Sequence, residues 1–142
     1  MNNVSSLLAR KNRPIISVSP STSIIDALKV MAEKNVGSVV VMENNKYLGI
    51  LTERDYSRKV ILKGKNSATT TVAEIMSTDF ATAAPADSIE YCMEVMTSKN
   101  IRYMPVFHND ELTGIVSMSD VVKETIIAQK ETINQLQNYI QS

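Results

Sequence analysis

Leu48-Gly49-Ile50-Leu51-Thr52-Glu53-Arg54-Asp55 returns, 65 residues later, as Thr113-Gly114-Ile115-Val116-Ser117-Met118-Ser119-Asp120. Each stretch leads apolar residues around a glycine into a Thr or Ser, and three positions on into an aspartate. Short apolar, β-branched runs compose strands. A Ser/Thr-x-x-Asp step is the pattern that starts a helix. A strand-to-helix junction written twice at one spacing marks an internal repeat.

The register extends outward without a gap. Twelve identities pair Pro20–Asp55 with Pro85–Asp120, among them Ser23/Ser88, Ile24/Ile89, Met31/Met96, Asn35/Asn100, Val41/Val106 and Asn44/Asn109. In each copy a helical stripe comes first: Ile24, Ala27, Leu28 and Met31, then Ile89, Cys92, Met93 and Met96. Ser23 with Asp26, and Asp87 with Glu90, read as the capping boxes of those helices. Two strands around a polar turn follow. In copy one they are Val39-Val40-Val41 and Leu48 to Leu51 around Glu43-Asn44-Asn45-Lys46. In copy two they are Met104 to Phe107 and Gly114 to Val116 around His108-Asn109-Asp110-Glu111. A last helix starts near Glu53 and near Met118.

The expected fold is therefore mixed α/β (α+β): two β-α-β-β-α repeats packed sheet to sheet with pseudo-two-fold symmetry, leaving a cleft on each side. Such a pairing suits units that are marginal alone, at about fifty residues each. The expected boundaries are 1–62 for an N-terminal helix and repeat one, 63–71 for a polar linker, and 72–124 for repeat two, opening on a short helix from Val72 to Met76. Residues 125–142 extend the last helix. Its apolar positions Val122, Ile126, Ile133, Leu136 and Ile140, interrupted at Gln129 and Lys130, either fold back on the module or meet another subunit. The second reading is preferred because the helix outruns its repeat.

Composition narrows the function. Fifteen Lys and Arg balance fifteen Asp and Glu, and no long basic run offers a nucleic-acid face. Arg10, Lys11 and Arg13 read as a solvated helix end. One cysteine, Cys92, makes no internal disulfide and belongs to no metal-ligand cluster; its helical spacing makes it a small core residue. No apolar run nears the roughly 20 residues of a membrane span, and the N-terminus lacks a secretory pattern. A cytoplasmic protein is expected from these features. His108 lies in a turn with no nucleophile or acid in a matching motif, and no phosphate-binding glycine loop occurs. No enzyme is expected.

The repeated Gly-apolar-apolar-[Thr/Ser]-x-x-Asp ending resembles the CBS (cystathionine β-synthase) domain, and the tandem resembles a Bateman module over about residues 12–124. Ala27-Leu28-Lys29, Thr52 to Val60, Glu74-Ile75-Met76 and Ile101 to Val106 are similar to short bacterial proteins made of little besides one CBS pair. The resemblance implies a regulatory sensor of adenosine nucleotides, AMP first, with ATP or NAD as further ligands and no required cofactor. It also implies a homodimer and an unidentified protein effector. Other readings are a ligand-free adaptor dimer or a small nucleotide-acting enzyme.

Within that resemblance, Asp55 with Thr52, and Asp120 with Ser117, become ribose candidates. A vicinal diol offers two donors and a carboxylate offers two acceptor oxygens. The same residues serve equally as helix caps. Arg54 and Arg102 are the phosphate candidates, through their guanidinium forks. The adenine would lie against Ile16, Val18, Phe80, Ala81, Ala83 and Pro105, each equally suited to plain core packing.

Overall fold

The computed structural model describes residues 2–141. Its first element, α1 (Val4–Lys11), is capped by the Asn3 side chain accepting from Ser6 N. Helix starts carry N–H groups with no partner inside the helix. Those of Val4 and Ser5 donate to the carbonyls of Asp87 and Pro85, at 2.9 Å each. The helix thereby leaves repeat one and docks on repeat two. The chain divides accordingly: one unit is Ile15–Phe80, and the other joins the segment ending at Pro14 to residues from Ala81 onward.

In the Ile15–Phe80 unit, β1 (Ser17–Val18) lies parallel to β2 (Ser38–Glu43), and β2 is antiparallel to β3 (Lys46–Thr52). Between β1 and β2 runs α2 (Ile24–Lys34), started by Ser23 and stopped by a left-handed Asn35. The hairpin turns on Asn44 and Asn45 at φ 53° and 62°. Two successive positive φ values give the turn whose twist matches paired strands, and asparagine tolerates them. Next come α3 (Glu53–Asp55) and a π-helical stretch, Tyr56–Ile61. There Leu62 N reaches back five residues to Ser57 O. Finally α4 (Val72–Ile75) docks as α1 does: Val72 N donates to Thr22 O and Ala73 N to Pro20 O. Ile24, Ala27, Met31, Val39, Val41, Leu51, Val60, Val72 and Ile75 form the core.

The other unit repeats this order. α5 (Ile89–Lys99) precedes the hairpin of β4 (Tyr103–His108) and β5 (Glu111–Ser117), which turns on Asn109 and Asp110 at φ 51° and 65°. Both hairpins carry a bulge at the same repeat position, after Val41 and after Val106. The first strand shrinks to one parallel bridge, Ala83 to Val106. The last helix, α6 (Met118–Gln141), is three times the length of α1 at 24 residues. Val4 and Leu7 of α1 enter the core of Ile89, Cys92, Met96, Met104, Val106, Val116 and Val121. Burying each stabilises by about 1.5–3 kcal/mol.

Two sequence-based expectations change. The compact units also cross the sequence repeats 1–62 and 72–124, because the leading helix of each repeat caps and fills the unit built on the other. The 63–71 segment is more than a linker: Thr70 is buried, and the carbonyls of Thr70 and Ser67 accept from Ile24 N and Ile25 N at the start of α2. The N-cap of α5 is Ser88, whose Oγ accepts from Tyr91 N; Asp87 instead accepts from Ala84 N. The glycines of the repeated motif mark where the exchanged segments press in. A Cβ on Gly49 would stand 2.6 Å from the Ser77 carbonyl oxygen, and one on Gly114 2.8 Å from a methyl of Leu8 in α1.

Candidate functional site

The two Ser/Thr-x-x-Asp steps fold as reciprocal caps. Thr52 N donates to Asp55 Oδ2 at 3.0 Å and Asp55 N donates to Thr52 Oγ1 at 3.1 Å. Ser117 N donates to Asp120 Oδ2 at 3.0 Å and Asp120 N to Ser117 Oγ at 3.0 Å. Each pair satisfies two helix-start donors. Beyond the caps, the two ends differ.

Asp55 is saturated. Its Oδ2 also takes the Thr52 hydroxyl at 3.1 Å, while Oδ1 takes the Ser77 hydroxyl at 2.9 Å and Lys59 Nζ at 3.0 Å. Two carboxylate oxygens offer about four lone-pair sites, and four donors occupy them. Lys59 lies one helical turn after Asp55 and also donates to Ile75 O and Ser77 Oγ. This carboxylate ties α3 and the π-helical stretch to the segment after α4.

Asp120 is held on one side only. Lys11 Nζ joins Ser117 N on Oδ2, at 2.8 Å, and also donates to Ile115 O at 2.9 Å. Oδ1 accepts no hydrogen bond among the described residues, and the side chain is 16% exposed. Burial pushes its carboxyl up, but the Lys11 ammonium and the Ser117 amide and hydroxyl outweigh that and hold it below the ordinary carboxylate range. The group is therefore an anion with one anchored and one open oxygen.

One turn of helix decides where each unit's cation comes from. α4 superimposes in role on the first half of α1, with Val72 matching Val4 and Ile75 matching Leu7, a spacing of 68 rather than 65. α1 runs one turn further, and that turn carries Arg10 and Lys11. Lys11 serves Asp120, while Arg10 Nε meets Glu124 Oε1 at 2.8 Å, with the Glu124 side chain only 5% exposed. Glu124 is the repeat partner of Lys59. The unit with a glutamate there draws its cations from α1; the unit with a lysine there supplies its own.

The remaining predicted residues sort clearly. Arg102 is exposed, and its carbonyl accepts from Met118 N at 2.8 Å. Arg102, Ser117 and Asp120 thus meet where α6 begins. Arg54 is half-buried in the short α3, in the other unit from Arg102. Ala83 and Pro105 are buried, with Ala83 N bonded to Pro105 O at 2.9 Å, and Ala83 belongs to the core of its unit. Ala81 is half-buried beside that core; Ile16 and Val18 are half-buried beside the other, and half-buried Phe80 ends that unit. His108 sits in the exposed turn, and burial, then Asp87, pushes the Cys92 thiol up to about 11. Neither is placed to be a nucleophile or base at this end. Sequence reading missed Lys59, Ser77, Arg10, Lys11 and Glu124. Only Lys59, four residues after Asp55, carried a local signal, as an i,i+4 ion pair.

Comparison with known proteins agrees with this architecture. The CBS domain family model matches twice, at residues 4–61 and 72–126. The chain belongs to the CBS domain family. It is 37% identical over 124 residues to the mitochondrial CBS domain-containing protein CBSX3 of Arabidopsis thaliana; the match covers 84% of this chain and 60% of that relative. A crystal structure of the CBS domain protein NE2398 shares 36% identity with a TM-score of 0.84, covering 88% of this chain and 98% of that one. The CBS domain protein PAE2072 from Pyrobaculum aerophilum, complexed with AMP, has a TM-score of 0.73 at 24% identity. The match covers 83% of this chain and 88% of that one, and at that identity shows the fold. No helix among the described residues is long and apolar enough to cross a membrane.

Proposed function

We propose that this CBS pair is a regulatory module that binds an adenosine nucleotide, AMP before ATP or NAD, at the Asp120 end. It passes occupancy to an effector protein through its conformation or its assembly as a homodimer. The carrying observation is Asp120, with Oδ2 pinned by Ser117 and Lys11 and Oδ1 open. An ionised carboxylate so held presents a fixed acceptor to a ribose hydroxyl without reorganising. Exposed Arg102, beside the same helix start, supplies the fork for the phosphate. The AMP-bound protein of the same fold is consistent with this ligand class. Asp55 favours the other reading at its own end: with four donors on two oxygens, it is a structural clamp there. Binding signals only if one conformation holds the nucleotide better than another.

Thermal unfolding with and without ligand tests the proposal. A ligand that binds only the folded state at a hundred times its Kd adds about 2.7 kcal/mol. AMP should raise the melting temperature of the wild type. In Asp120→Ala most of that ligand-induced rise should vanish; the lost cap lowers the ligand-free value separately and does not enter the difference. Arg102→Ala should weaken AMP more than adenosine. An unchanged rise in Asp120→Ala overturns the ribose site. No rise with AMP, ATP or NAD leaves the adaptor reading in its place.

A further inference from the structure

The distal half of α6 is exposed along its length. Val121 and Glu124 are the helix's buried residues, and every described residue from Gln129 onward is exposed. A lone helical segment of this length, with nothing packed on it, is marginal in water. Yet its apolar residues are ordered. Val122, Ile126, Gln129, Ile133, Leu136 and Ile140 follow one another at steps of four, three, four, three and four. That is the a/d seam of a heptad, with Ile126, Ile133 and Ile140 at a, and Val122, Gln129 and Leu136 at d. The five apolar members are 45% to 80% exposed. The seam lies roughly a third of a turn around the helix from Val121 and Glu124, at 3.6 residues per turn. It is therefore free along its whole length, about 27 Å at 1.5 Å per residue.

We infer that this seam pairs with the same seam of a second copy, as a parallel two-stranded coiled coil. Isoleucine at every a position, with leucine at the distal d, favours two parallel strands. Charge and polarity exclude the antiparallel alternative that keeps all six layers. There Gln129 would face Ile133 of the partner subunit, leaving a buried amide unpaired. The two Lys130 side chains, at position e, would also meet across the seam. In the parallel arrangement Gln129 meets its own copy and the amides bond to each other. Position e of one strand then faces position g of the other, which sets Lys130 against a threonine, Thr125. A glutamine within the seam also sets the register, at some loss of stability.

This inference rests on the homodimer of the proposed function and names its contact; it does not depend on any nucleotide. Sedimentation equilibrium of the full chain at low micromolar concentration should give twice the 15.7 kDa chain mass. The double variant Ile133→Asp/Leu136→Asp, at positions exposed in the single chain, should give the single mass, with a circular dichroism loss no larger than the distal turns of α6 and the cooperative unfolding of the module retained. Glu131→Gln/Asn138→Asp, off the seam, should remain dimeric. Orientation is read by Ile140→Cys: mild oxidation should cross-link it as a covalent dimer, while buried Cys92 stays reduced. If the seam variant stays dimeric, the homodimer stands and the coiled coil is wrong. A monomeric wild type overturns both. Absence of a cross-link at position 140, with one forming between Val122→Cys and Ile140→Cys chains, overturns the parallel orientation.

Discussion

Gly49→Ala and Gly114→Ala place the same methyl at the same repeat position, and the structure separates their costs. At Gly49 the new Cβ meets a backbone oxygen, Ser77 O, at 2.6 Å. A comfortable carbon–oxygen contact needs about 3.3 Å, so β3 and the Ser77 segment must part by roughly 0.7 Å. That gap sits on the pair of hydrogen bonds joining Ile50 to Ser77, at 3.0 and 2.9 Å. Overpacking costs about 1–3 kcal/mol, and weakening the two bonds adds up to about 1 kcal/mol each. Removing a strand glycine returns about 0.5–1 kcal/mol. The net for Gly49→Ala is about 0–4.5 kcal/mol, centred near 2 kcal/mol. At Gly114 the obstacle is the pair of Leu8 methyls at 2.8 and 3.0 Å, the end of a rotatable side chain on an exchanged helix. Rotation relieves it, and the strand-glycine gain offsets much of the remainder, so the net is about 0–1 kcal/mol. Urea unfolding monitored by circular dichroism measures both. Equal losses, or a larger loss for Gly114→Ala, would refute the claim that backbone approach, rather than the glycine motif itself, sets the cost.

Further outcomes follow from the ionic contacts and the core. Lys11→Met removes the cation that holds the Asp120 carboxyl down. A carboxyl lowered on folding stabilises above its unfolded pKa, and that stability is lost as pH falls through the folded value. Wild-type stability should therefore decline in the acid range as Asp120 protonates. In Lys11→Met, a carbon-13 titration of Asp120 should move to higher pH and the acid decline should shrink; an unmoved titration sinks the assignment. Arg10→Ala leaves buried Glu124 without its partner and should destabilise by about 1–3 kcal/mol. The double change with Glu124→Gln should recover most of that loss, and additive losses would show the pair to be idle. Cys92, buried with its thiol raised to about 11, should resist iodoacetamide at pH 8 in the folded state and react fully in denaturant. Rapid labelling of folded protein would contradict its burial.

The repeat made both hairpins, both α2-type helices and both capping steps legible, because those features are local. Turn asparagines, β-branched runs and Ser/Thr-x-x-Asp spacing act within a few residues of themselves. The 65-residue register aligned them with no help from the fold. It failed for α1 and α4, whose equivalence runs at 68, since an extra helical turn in α1 breaks the alignment where similarity is already weak. Arg10 and Lys11 consequently read as a solvated helix end.

What the amino-acid order determined alone is the pair of units, their elements, and the two carboxylates at the helix starts. What only tertiary structure decided is which carboxylate stays open. Asp55 and Asp120 are indistinguishable as motifs. The donors that fill Asp55 include Ser77, 22 residues away, and the cation that half-fills Asp120 is Lys11, 109 residues away. A carboxylate's remaining capacity is the difference between its lone pairs and the donors brought to it, and the exchanged segments deliver the donors that local spacing does not.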